Sequence, residues 1–259
     1  MRLKDKVAIV TGGGVGIGRA ISLAFAREGA DVVLACPFLS ELEPTAAEIG
    51  ALGRKSLAII ADVSDEKQVR EMVARTMDEF GKIDILVNNA GIEGRTTNVV
   101  DVDLEDWNRV LAVNLTGPML CAKEVLKIMV PRKSGSIINI SSAAGKRGFV
   151  MRSPYCASKW GIIGLTQTWA LEVAVHNIRV NCICPGPTQG ERIERVLRNR
   201  VEATGRPYEE MRGLMTRNNP LGRMVYPEEV AGAAVFLASD EAGGLIGQAI
   251  NVSIGLIMG

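Results

Sequence analysis

The 259-residue chain is 47% hydrophobic and 23% charged, and 30 basic against 29 acidic residues leave a formal charge of +1. This balance lacks the basic footprint of a nucleic-acid or membrane-surface binder and suits a globular domain with a sizeable core. No apolar run reaches the roughly 18 residues of a membrane span, and MRLKDKVAIVTGGG reads as a first strand entering a glycine turn and not as a signal peptide, so a cytoplasmic protein is expected.

In chain order, short β-branched apolar runs stand at 7–10, 32–36, 56–63, 83–91, 135–142, 178–186 and 248–255. Stretches with helical periodicity lie between them at 19–28, 42–52, 66–80, 104–130 and 155–175. No linker, composition break or repeat interrupts the alternation. It predicts an α/β fold, a single Rossmann-like doubly wound parallel sheet with helices on both faces, filling residues 1–259 as one domain. Between 187 and 220 the chain turns charge-rich, with room for two short helices after a strand's carboxyl end. Open α/β sheets bind ligands there, so this segment reads as a lid.

Five cysteines form no CxxC pair, and His176 is the single histidine. Neither a disulfide framework, nor a metal site, nor a Ser-His-Asp triad is expected. Cys182 and Cys184 alternate on one face of a strand and read, with the others, as buried free thiols. His176 falls where a helix gives way to a strand, a position that capping explains.

Proton chemistry therefore needs another carrier. In SPYCASKWG, Tyr155 and Lys159 stand four apart at a proline-marked helix start, on one face and one turn apart. An ammonium beside a phenol favours the phenolate. Bringing a pKa of about 10 near neutrality takes roughly 4 kcal/mol of differential interaction.

The first strand runs into TGGGVGIG, whose Gly12, Gly14, Val15, Gly16, Ile17 and Gly18 form a glycine-rich turn opening a helix. With it come Asn88-Asn89-Ala90-Gly91, Asn114, Ser142, the Tyr155–Lys159 pair and Pro185-Gly186-Pro187-Thr188. This set, in this order and spacing, resembles the short-chain dehydrogenases/reductases over essentially the whole chain. The resemblance implies an NAD(P)-dependent alcohol dehydrogenase or ketone reductase. Tyr155 would be the general acid/base, with Lys159 lowering its pKa and binding the nicotinamide ribose. Ser142 would donate to the substrate oxygen, and Asn114 would hold a water linking Lys159 to solvent. On the same resemblance, Gly12, Gly16 and Ile17 hold the pyrophosphate side of the dinucleotide. Asp62 with Val63 meets the adenine, Asn88, Ala90 and Gly91 line the wall, and Pro185, Gly186 and Thr188 meet the nicotinamide. It further implies a homotetramer built on the long helices.

Cofactor choice is read after the second strand, where an acid selects NAD and a cation NADP. Here Cys36-Pro37-Phe38 supplies neither, and the glycine loop has Val15 where an arginine would stand. This favours NAD over NADP, although Arg19 or Arg54 could reach the phosphate. Asp62 has an alternative reading beside a helix N-cap supplied by Ser64. A further departure is Ser253-Ile254-Gly255 in place of Asp-Gly-Gly.

Loops at 93–97, 143–152 and 186–220 should meet the substrate, and Arg147, Arg152 and Arg192 there suit an anionic group. The expected substrate is a small polyol, sugar or sugar acid. The alternatives are an NADPH-dependent 3-oxoacyl-thioester reductase acting on a carrier protein, and a non-catalytic dinucleotide sensor.

Overall fold

The computed structural model describes residues 1–217 and 219–258. Seven strands among these residues form one parallel sheet: β1 (Val7–Thr11), β2 (Asp31–Cys36), β3 (Ser56–Ile60), β4 (Ile85–Asn88), β5 (Gly135–Ile140), β6 (Ile178–Pro185) and β7 (Ala249–Val252), ordered β3-β2-β1-β4-β5-β6-β7. The order reverses between β1 and β4, which opens a crevice at their carboxyl ends.

Side chains alternate between two cores, as a sheet buried on both faces requires. Ala8 and Val10 of β1, with Val32 and Leu34 of β2, face α1 (Gly16–Arg27) and α2 (Leu39–Ala51). Ile9 and Val33 point the other way, toward α3 (Glu66–Phe80) and helices later in the chain. Asp65 caps α3, accepting from the amides of Lys67 and Gln68 at 2.8 and 3.2 Å, and Gly81 ends the helix in the left-handed region. The Ser64 cap read from the sequence is therefore displaced by one residue. Ser64 instead donates to Asp62 through both amide and hydroxyl.

The stretch at 104–130 is not one helix. α4 (Leu104–Leu111) passes through a π-turn at Ala112–Thr116 into α5 (Gly117–Arg132). The glycine-loop helix and α2 also start three residues earlier than their periodicity, because Val15 and Phe38 stay extended at the caps. α6 (Ser153–Val173) carries the Tyr155–Lys159 face.

Beyond β6 lie α7 (Glu191–Thr204) and α8 (Tyr208–Thr216). They share a small core of their own, Val196, Leu197, Met211 and Met215 with Met224. The excursion is pinched at its base: the Val225 amide donates to Pro187 O and the Gln189 amide to Val225 O, at 2.8 and 2.9 Å. α9 (Pro227–Ala238), which the periodicity reading omits, packs on the first core beside α1. Among the described residues no helix is long and apolar enough to cross a membrane.

Candidate active site

The carboxyl ends of β1 and β4 are tied together before any ligand is considered. Thr11 Oγ1 accepts from the amides of Asn89 and Ala90, and Asn89 Nδ2 donates to the carbonyls of Thr11 and Gly12. Gly12 turns at φ +61°, and a Cβ on Gly18 would collide with Gly12 O, so α1 begins hard against the turn. A Cβ on Gly14 would likewise run into Glu41 O of α2, whereas around Gly16 there is open space. Val15 is exposed at the cap, and Ile17 packs toward the first core. The result is a concave loop at a helix N-terminus, which fits a pyrophosphate.

Further along, Asn88 is buried and donates to Asn139 Oδ1 at 2.8 Å, while its own Oδ1 has no partner. That orphaned acceptor lies at the end of β4, in the wall assigned to the dinucleotide. Beside it, a Cβ on Gly91 would stand 3.1 Å from Asn114 Oδ1 and 3.6 Å from Lys159 Nζ. Val63 is buried, and Asp62 spends one carboxylate oxygen on the Ser64 turn. On the far side, Pro185 ends β6, and the Gly186 amide donates to Val252 O. Thr188 Oγ1 donates to Gly186 O at 3.0 Å.

The proton-handling residues converge from three elements. Ser142 follows β5 and caps a short turn by accepting from the Ala144 amide. Its hydroxyl also hydrogen-bonds Tyr155. Lys159 is buried, donates to Ile140 O at 2.8 Å, and holds Nζ 5.7 Å from the Tyr155 ring centre. Burial by itself would raise the phenol. The charges of Arg192 and Lys159, the Ser142 hydrogen bond and the charge of Arg152 outweigh it, so Tyr155 lies below its ordinary value. Lys159 is also lowered, chiefly by burial, although the tyrosine opposes this.

Asn114 occupies the π-turn. Its side chain accepts from the Ile92 amide at 2.7 Å and donates to Ile92 O and Ser158 Oγ at 2.8 and 3.1 Å. Both amide hydrogens and the carbonyl oxygen of the side chain are thus engaged within the protein.

The substrate arginines separate. Arg152 and Arg192 place their guanidinium carbons 5.0 and 5.6 Å from the Tyr155 ring centre. Arg147 is not brought there: it is exposed and stacks on Phe149 at 4.7 Å, so the loop's two arginines serve different surfaces. Two acids emerge that sequence reasoning passed over. Glu93, half-buried after β4, is bonded by Arg195 and has Arg192 at 3.8 Å. Glu41, in the first turn of α2, stands 3.7 Å from Cys36 Sγ at the end of β2. Its five-residue offset from Cys36 hid it from a reading confined to the strand end.

The model for the family described as short chain dehydrogenase matches residues 6–200. This chain belongs to that family. As such it is an oxidoreductase that binds NAD or NADP. The dehydrogenase is 39% identical to the 3-oxoacyl-[acyl-carrier-protein] reductase FabG of Thermotoga maritima over all of both chains. It is 40% identical to the galactitol 2-dehydrogenase of Agrobacterium fabrum, with 98% of each chain covered. Among solved structures it is similar to an NAD+-bound xylitol dehydrogenase, with a TM-score of 0.95, 32% identity, and 97% and 99% of the two chains covered.

Proposed function

We propose that this dehydrogenase interconverts a secondary alcohol and a ketone on a small hydroxylated substrate, with NAD as its preferred cofactor. The observation that carries the reading is the meeting of Ser142, Tyr155 and Lys159, with a half-buried phenol held below its ordinary value. A bound nicotinamide supplies the hydride transfer, and the chain positions the carbinol and moves one proton. Tyr155 takes the hydroxyl proton in oxidation and returns it in reduction. Ser142 donates to the same oxygen as charge develops on it. Lys159 keeps the phenolate accessible, and Asn114 holds a water that links Lys159 to solvent and gives the proton an exit.

NAD is favoured because the two cations the sequence offers for a 2′-phosphate, Arg19 and Arg54, are engaged. Arg19 forms a two-pronged bond to Glu48 at 2.6 and 2.8 Å, and Arg54 pairs with Asp31 at 2.9 Å. Glu41 beside Cys36 would accept from a free ribose hydroxyl and repel a phosphate. A carrier-protein thioester reductase is the second reading, favoured by the FabG relative, and it requires NADPH.

Tyr155→Phe separates catalysis from binding. Turnover should fall at least a hundredfold while NADH affinity stays within twofold. Unchanged turnover would reject the acid/base assignment, whereas NADH binding with no turnover in the unsubstituted chain would put the non-catalytic sensor in its place. Calorimetric titration should give NADH at least a tenfold advantage over NADPH, about 1.4 kcal/mol. The reverse order would promote the thioester reductase.

The excursion carrying α7 and α8 covers the site as a lid. Leu104, Trp160, Leu171 and Val175 are exposed on α4, α6 and the turn after it, which supports association through these helices into a tetramer.

A further inference from the structure

Arg152 is only 5% exposed, yet none of the ion pairs among the described residues includes it. The one hydrogen bond of its guanidinium, donated to Thr96 Oγ1, is 3.5 Å long, at the outer limit of such contacts. A buried guanidinium without a carboxylate is costly and calls for a partner. The backbone supports this placement at its own expense: Met151, just before it, sits in the left-handed region at φ +63°, which a residue with a side chain seldom adopts.

Arg192 reaches the same spot from α7. Its Nη2 is buried and unpartnered, and its nearest carboxylate, Glu93, is 3.8 Å away and hydrogen-bonded by Arg195 instead. Arg200, about two turns beyond Arg192 on α7, adds its charge to that felt by Arg152. Around Tyr155 there is therefore an excess of fixed, partly desolvated positive charge, with guanidinium donors left over. Lys159 already accounts for the tyrosine's acid/base role, so two further arginines against the same ring need a different explanation.

We infer that Arg152 and Arg192 form a site for an anionic group of the substrate, a carboxylate borne close to the carbinol whose proton Tyr155 handles. The substrate class is then the hydroxy acids, not the neutral polyols. Two planar forks at 5.0 and 5.6 Å from the Tyr155 ring centre can share a carboxylate's two oxygens and fix which carbon faces the phenol. Because Arg192 comes from the lid and Arg152 from the body, an anion bridging them would also hold the lid down. This rests on Tyr155 as the acid/base, and the test keeps the two claims apart.

The full chain is titrated calorimetrically with tartronate and with glycerol, with and without saturating NADH. Both are three-carbon secondary alcohols, and they differ only in the two carboxylates. Tartronate should bind at least tenfold tighter than glycerol. Arg192→Met, at a half-exposed position, should remove most of that advantage while NADH affinity stays within twofold. Arg152→Met should do the same, and Arg152→Lys, which keeps the charge without the fork, should restore part of it. Equal binding of the two probes, or a tartronate advantage that survives in both methionine variants, would overturn the site. A loss of tartronate binding accompanied by an equal loss of NADH binding would also count against it, as a general disturbance. Tyr155→Phe should retain the tartronate preference; if that variant still turns over, the acid/base assignment falls while the anion site stands on its binding data.

Discussion

Tyr155 joins the chemistry to the charge around it. Burial pushes the phenol up, and Arg192, Lys159, Ser142 and Arg152 together pull it below its ordinary value. In alcohol oxidation the phenolate is the working form, so the rate rises with pH through this ionisation, and a lowered value brings the rise to lower pH. Arg192→Met removes one of the cations. The acid limb of kcat/KM for oxidation should then move to higher pH, read from a pH profile between about 5 and 10. A limb that stays put, with KM alone raised, would leave Arg192 a substrate contact only. Lys159→Met should move the limb the same way and weaken NADH binding as well. The tyrosine and lysine are legible in the sequence because a four-residue step on a helix fixes their shared face. Arg192 reads from the sequence as a substrate contact, but its place against the tyrosine ring does not, because it lies 37 residues further along the chain.

At the scale of elements, the glycine turn and the amino end of β4 carry the sharpest expectations. A Cβ at Gly18 meets Gly12 O and the Asn89 amide group, so Gly18→Ala should push α1 off the turn. We expect NADH affinity to fall at least tenfold by calorimetry, about 1.4 kcal/mol, with the urea midpoint also lowered. Asp84 pins three elements: it accepts from the Val7 amide at 2.9 Å and pairs with Arg132 and Lys82 at 2.8 and 3.1 Å. Burial would raise its carboxyl, but Arg132, the Val7 amide and Lys82 outweigh that and hold it below the ordinary value. A depressed folded value contributes stability that is present above the unfolded pKa of about 3.9 and lost as pH falls through the folded one. Asp84→Ala should cost about 3 kcal/mol at neutral pH, measured by urea unfolding, and should flatten the remaining loss of stability on acidification. The strands were legible because each is an uninterrupted apolar run. The π-turn at Ala112–Thr116 was not, since one extra residue in a helix barely disturbs apolar periodicity. The Asp65 cap was hidden because Ser64 and Asp65 are both good capping residues, and only geometry chooses between them.

For the whole molecule, cofactor preference is decided by residues that meet across elements. Arg19 and Arg54 are free cations in the sequence, but each is bound to a carboxylate in the fold. Glu41→Lys should therefore erode the NADH advantage over NADPH at least tenfold in the same titration, and an unchanged ratio would show that Glu41 takes no part. The exposed Leu104, Trp160, Leu171 and Val175 belong to this scale too, and sedimentation should detect an oligomer that Leu171→Lys weakens. The sequence by itself determined the sheet, the glycine turn and the Tyr155–Lys159 pair, because strand alternation, glycine chemistry and helical spacing are local properties of the chain. Only the tertiary structure decided which charges are spent and which are left over. Arg147 turns to Phe149, Arg54 to Asp31, and Arg152 toward Tyr155 without a carboxylate of its own, because pairing between distant side chains depends on where the fold brings them.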